Sequence, residues 1–229
     1  LVVISYIQNK YWEENMYTGN ERLIIAGKEL QYSMLNFWQT SYSDILLNMN
    51  RGTFAEFILR CALNEKGLPT FDKTMTGVEP FDMEGPELVL ESGARPCRIE
   101  VKCSAYVQHW SKPRTYLDKP DSKITFSISP AYDLFYEAEK GVCRHNDLYV
   151  FAFYNARYRE CNMLNLDFWD FYVLPTYRIE NDPSLSSQKT ISLGRIKRMH
   201  LDKISFNNLA EAIYACVNEI SNHHDSIKE

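Results

Sequence analysis

Arg98-Ile99-Glu100-Val101-Lys102 is the stretch that decides how this chain is read. Successive side chains of a strand point to opposite faces, so Glu100 and Lys102 project together while Ile99 and Val101 project to the other side. A carboxylate and an ammonium beside an apolar face cost free energy unless they pair or hold a metal. The segment therefore predicts a buried strand with a chemically active face, and its surroundings decide what that face does.

Upstream, Arg51–Asn64 predicts a helix, stopped by Lys66-Gly67 and Pro69. Phe54, Phe57, Ile58 and Cys61 form one apolar stripe, and Ala55, Leu59, Ala62 and Leu63 make most of the rest apolar, the pattern of a buried helix. Gly77–Met83, Glu87–Glu91 and Cys97–Ser104 predict three strands, with turns at Met83-Glu-Gly-Pro86 and Ser92-Gly-Ala-Arg-Pro96. Downstream, the expectation is a strand at Lys123–Ser129, a helix at Ala131–Lys140, strands at Leu148–Tyr154 and Phe168–Leu174, and an amphipathic helix at Asn207–Ile220. Helix, three strands, helix, strand is an α/β arrangement with a mixed sheet, into which Lys123–Ser129 is inserted. Residues 1–50 are mixed and aromatic, with a short strand at Leu23–Ala26 and helix within Leu35–Met49. They read as an N-terminal extension packed on a main domain of residues 51–229.

Bulk composition narrows the class. The chain has 229 residues, 45% hydrophobic and 14% aromatic, enough for a sizeable core. Gly and Pro are sparse, at 9 each, which argues against long disordered linkers. The longest wholly apolar run, Leu148–Tyr154, is too short to cross a membrane, and no secretory signal is visible. Six cysteines without a CxxC pair allow disulfides, or reduced thiols in a cytoplasmic protein. The net charge of −5 argues against coating nucleic acid non-specifically. Two segments run against it: Arg95–Lys123 and Lys189–Lys203 each carry four more basic than acidic residues. Either segment is a local contact for phosphates or an ordinary solvated charge run.

The candidate chemistry follows from residue types. Hydrolysing a phosphodiester needs a cation near the phosphate, a positioned water and stabilisation of developing charge. Asp82 and Glu100 offer two carboxylates for Mg²⁺, with Mn²⁺ also suited, and the main-chain carbonyl of Val101 offers a third oxygen. Lys102 would contact the attacking water or the phosphate. Glu56 shares a helix face with Leu59 and Leu63, so its carboxylate points into protein and needs either a metal or a salt bridge to Arg60 or Arg51. Gln108 by itself reads as a surface polar residue, and Lys112 and Arg114 are candidate substrate contacts. Tyr106, His109 and Trp110 can stack at nucleic acid or pack in the core.

Asp82 followed by Glu100-Val-Lys102, preceded by the helix glutamate Glu56, resembles the PD-(D/E)XK nuclease superfamily, whose restriction-endonuclease-like core runs αβββαβ. The proline–aspartate element here is Pro80-Phe-Asp82, with one intervening residue, which leaves open whether Asp82, Glu84 or Glu87 is the metal carboxylate. Pro80–Pro86, Arg98–Trp110, Gln188–Leu193, Phe37-Trp38, Asp44–Asn48 and Arg51-Gly52 also resemble uncharacterised bacterial proteins of this type. The resemblance implies a Mg²⁺-dependent deoxyribonuclease, restriction-like or in phage defence, that leaves a 5′-phosphate and acts as a homodimer. In it Asp82, Glu100 and Glu56 hold metal, Lys102 positions water, and Gln108 lies near the phosphate. RNA as substrate stays open. The alternative is a non-catalytic nucleic-acid-binding or protein-interaction subunit that kept the fold.

Overall fold

A computed structural model describes residues 17–70, 79–120, 122–132 and 138–226. The chain divides into two compact units, Leu1–Ile45 and Leu46–Glu229. In the first, β1 (Arg22–Ile25) and β2 (Lys28–Ser33) form an antiparallel hairpin followed by α1 (Met34–Tyr42). Ala26 and Gly27 both have positive φ, 49° and 74°, as a tight two-residue hairpin turn requires.

The second unit is a mixed α/β fold. It opens with α2 (Asn48–Glu65), followed by β3 (Met83–Leu90) and β4 (Gly93–Ala105). After these come β5 (Thr125–Ser127), β6 (Ala131–Tyr132), β7 (Val142–Cys143), β8 (Leu148–Tyr154) and β9 (Trp169–Pro175). The chain closes with α3 (Thr176–Glu180), β10 (Thr190–Ser192), α4 (Leu193–Arg198) and α5 (Phe206–Ser226). The central sheet has the order β3-β4-β8-β9. β4 pairs parallel with β8, and the two outer pairings are antiparallel. All seven residues of β8 are buried, as a continuous apolar run at the centre of a sheet demands.

Register assigns the two faces. Glu100 stands opposite Tyr149, Lys102 opposite Phe151 and Ser104 opposite Phe153. Tyr149, Phe151 and Phe153 belong to an apolar cluster with Phe126, Ile128, Ile191 and Ile196, so the β5–β10 ribbon and α4 cover this face. Cys97, Ile99 and Val101 point the other way and are buried, on the side where α2 packs against β4 and α5 against β3 and β9.

Several local expectations change. No strand forms over Glu79–Asp82; residues 77 and 78 lie outside the described residues. Instead β3 begins at Met83 and runs straight through Met83-Glu-Gly-Pro86, which is a bulge rather than a turn. The reason is position: β3 is an edge strand, where a bulge accommodates proline's missing donor. Ala131–Lys140 is not one helix: Ala131-Tyr132 pairs with Val142-Cys143, and only Ala138–Lys140 makes a 3₁₀ turn, with 133–137 outside the described residues. Strand pairing across the turn at Gly141, whose φ is +66°, overrides the local helical pattern. The described residues thus carry α, β, β and the parallel β of the expected core, but neither its first strand nor its second helix. The inserted strand, β5, joins β10 rather than the main sheet.

Helix α2 is one-sided rather than buried all round. Ala55, Ile58, Leu59, Ala62 and Leu63 form its buried seam, while Phe57 is 49% exposed. Among the described residues, no helix is long and apolar enough to cross a membrane.

Gly85 sits where the bulge crosses β4. A Cβ there would lie 2.5 Å from Ile99 Cδ1 and 3.2 Å from Ile99 Cγ1, and Ile99 is fully buried. Gly85→Ala should cost roughly 1–3 kcal/mol by overpacking. Adding Ile99→Val, which removes the offending Cδ1, should return part of that loss. A double-mutant cycle in urea checks this, and strictly additive costs would refute it.

Candidate functional site

β4 outruns β3, and the site forms where β3 stops. Met83 pairs with Ile99, and Asp82 sits in the bend just before it, with its carboxylate within reach of Val101 and Lys102. Phe81 lies under the Arg98 guanidinium, 5.4 Å from ring centroid to Cζ, which anchors the turn that delivers Asp82. The Asp82 amide donates to Ile99 O at 3.0 Å, and Asp82 Oδ2 accepts the Val101 amide at 2.7 Å. The aspartate therefore does with its side chain what the next residue of β3 would have done with its backbone. Ile99 and Val101 turn their main-chain groups to this same edge, so the Val101 carbonyl faces it as well.

Lys102 Nζ contacts the Glu100 carboxylate directly and stands 3.8 Å from Asp82 Oδ2. Glu56, reaching in half-buried from α2, lies within the electrostatic field of Asp82, Lys102 and Glu100. Three carboxylates thus face one ammonium, with Arg60 one helical turn beyond Glu56. Arg60 is itself tied down, donating to Thr70 O at 2.9 Å while its own carbonyl accepts from Thr70 Oγ1.

The charge imbalance shows in the proton affinities. Burial, then the Asp82 charge, push Glu56 up from the ordinary carboxylate value to about 7, against Arg60 and Lys102. Burial and Asp82 likewise raise Glu100, against the pull of Lys102. Burial disfavours the Lys102 ammonium, but Glu100 and Asp82 outweigh it and raise its pKa, so the lysine stays charged. The burial of Tyr149, next to Glu100's charge, raises its phenol in turn. Tyr149 is a neighbour that the sequence did not flag, because only the β4–β8 register puts it on the Glu100 face.

Such a donor set suits a hard divalent cation. Mg²⁺ takes one or two carboxylates and keeps several waters, so it needs no closed protein cage. Asp82 and Glu100, with the Val101 carbonyl, are oxygen donors of that kind, and a cation among them would offset the burial and the Asp82 charge that lift Glu56 and Glu100. Among the described residues, no three His, Cys, Asp or Glu side chains stand together as a preformed metal cage.

The other candidates lie elsewhere. Glu84 and Glu87 line a separate cavity of about 280 Å³ with Arg60, Thr70 and Pro96. Gln108 is 3% exposed, and its amide nitrogen donates to Ala105 O at 2.8 Å and Ser122 Oγ at 3.4 Å, closing the turn after β4. Lys112 and Arg114 are exposed on the loop that follows. That loop is laced to residues 155–160, with the Leu117 amide donating to Arg157 O at 3.0 Å and the Arg114 amide to Glu160 Oε1 at 2.7 Å. Tyr106 packs inward on Phe153 under Arg157, whereas Trp110 is 64% exposed. All six cysteines are free thiols.

Glu56 carries a sign that can be checked. Its folded pKa lies above its unfolded value, so the native state holds the extra proton between about pH 4.5 and 7. The cost of its buried charge is present in full above that window and fades as pH falls through it. Without divalent cations, Glu56→Gln should raise the thermal midpoint by about 3 °C near pH 8 and by almost nothing near pH 4.5. A shift independent of pH in a thermal-melt series would refute the assignment.

No protein-family model, no curated protein and no solved structure matches the chain.

Proposed function

We propose that the protein is a Mg²⁺-dependent nuclease acting on DNA phosphodiesters, with a restriction-endonuclease-like core. The observation that carries this reading is the convergence of Asp82, Glu100 and Lys102 at the end of β3, with Glu56 facing them from α2. Structural ion pairs are usually balanced, whereas this group keeps an excess of carboxylate in a half-buried place. In line with the proposed core, α2, β3, β4 and β8 follow in order, and β8 returns parallel to the strand that carries Glu100 and Lys102.

Asp82, Glu100 and the Val101 carbonyl would hold the cation, and Glu56 would complete the set or orient a ligand. When bound, such a cation would supply stabilisation of charge on a phosphoryl oxygen. Lys102 Nζ, kept protonated by its carboxylate neighbours, orients the attacking water and meets the negative charge that grows on the phosphate in the transition state. Water attacks phosphorus in line, the bond to the 3′-oxygen breaks, and the strand ends carry a 5′-phosphate and a 3′-hydroxyl. Lys112 and Arg114 are available to contact the backbone from the exposed loop, and a homodimer would let two such sites cut a duplex.

One observation favours a second reading. Lys102 lies directly on the Glu100 carboxylate, as it would in a non-catalytic nucleic-acid-binding or protein-interaction subunit that kept the fold.

Incubation of plasmid, linear and single-stranded DNA with and without Mg²⁺ or Mn²⁺ separates the two. Lys102→Ala and Glu100→Gln should each lower metal-dependent cleavage by at least about a hundred-fold while leaving the fold intact. Cleavage at the unmutated rate in both variants would overturn the nuclease reading, and salt-sensitive binding without any product would select the second.

A further inference from the structure

The β5–β10 ribbon has an outer side that the proposed nuclease site does not use. Phe126 and Ile191 turn inward to the apolar cluster, so Thr125, Thr190 and Ser192 turn outward, with Lys123 one alternation before Thr125. α4 follows directly, with the Arg195 amide donating to Ser192 Oγ at 3.2 Å. These elements close a polar cavity of about 280 Å³ whose lining brings together Lys123, Arg195 and Arg198 with Ser184, Gln188 and Thr190. Gly194 helps to shape it: the guanidinium of Arg198 lies back over this residue, with Nη1 3.7 Å from where a Cβ would stand.

The charges do not cancel. Arg195 pairs with Asp182 and donates to Ser184 Oγ at 3.0 Å, and Asp182 also accepts from the Ser184 amide at 2.8 Å. Among the described residues, neither Lys123 nor Arg198 has an acidic partner. Two positive charges therefore remain at the cavity. Arg195 Nε is buried and makes no hydrogen bond among the described residues.

We infer that this cavity binds a phosphate monoester, either the terminal phosphate of a nucleic-acid strand or that of a free mononucleotide. The residual charge matches a group that carries −1.5 to −2 near neutral pH, whereas an internal diester carries about −1. Guanidinium groups and hydroxyls are the donors that grip phosphoryl oxygens. Two residues of the basic run Lys189–Lys203, Arg195 and Arg198, thus line a concave site.

The test is a binding measurement in EDTA, so it stands apart from cleavage. A short single-stranded oligonucleotide, labelled at its 3′ end, is compared in 5′-phosphorylated and 5′-hydroxyl forms by fluorescence anisotropy at low salt. The phosphorylated form should bind about ten-fold tighter, the size of one charge-assisted contact. Arg198→Ala and Lys123→Ala should each erase most of that preference with unchanged melting curves, while Lys102→Ala should keep it. Competition by adenosine monophosphate at similar concentrations would identify a free nucleotide as the source, and competition by the phosphorylated strand alone would identify a strand end. Equal affinity for the two oligonucleotides, or a preference that survives Arg198→Glu in a folded protein, overturns the inference.

Discussion

The hydrogen bond from the Val101 amide to the Asp82 carboxylate closes the sheet at the point where its edge strand ends. β4 is 13 residues long and β3 only 8, so part of β4 lacks a backbone partner on that side. A side chain supplies one. The substitution satisfies the Val101 donor and, in the same stroke, fixes a carboxylate beside Glu100 and Lys102. Sheet termination and site construction are one event.

The cost of that arrangement is electrostatic. Glu56, Asp82 and Glu100 stand near one another with Lys102 among them, and burial removes the water that would screen them. The fold tolerates this because β4 and β8 are held elsewhere. Arg95 grips Asp147 with two bonds of 2.6 and 2.7 Å, and Asp147 also accepts the Arg98 amide at 2.8 Å, which pins the parallel pair at its start. The fully buried β8 and the aromatic cluster beneath the β5–β10 ribbon supply the apolar support.

Long apolar or alternating segments were legible in the sequence. Leu148–Tyr154 is the observed β8 to the residue, and Asn207–Ile220 lies inside α5. Short elements misled. Gly85-Pro86 has the composition of a turn, yet edge position and the fit of a Cβ-less residue over Ile99 make it a bulge. Ala131–Lys140 has local helix character, but Ala131-Tyr132 found a strand partner in Val142-Cys143. In both places a contact distant in sequence outweighed a preference worth a fraction of a kcal/mol per residue.

Strand periodicity alone put Glu100 and Lys102 on one face and Ile99 and Val101 on the other, because a period of two is a property of the extended backbone itself. Nothing in that periodicity could choose among Asp82, Glu84 and Glu87. The antiparallel register separates them in space: Glu84 falls opposite Arg98, Glu87 opposite Pro96, and Asp82 one place beyond the strand end, against Val101 and Lys102. Register depends on the bulge at Gly85 and on the packing of Ile99, which are contacts between separate segments. The same holds for Arg195 and Arg198 of the basic run near the C-terminus, which line a pocket only because β10 pairs with β5 and brings Lys123 beside them.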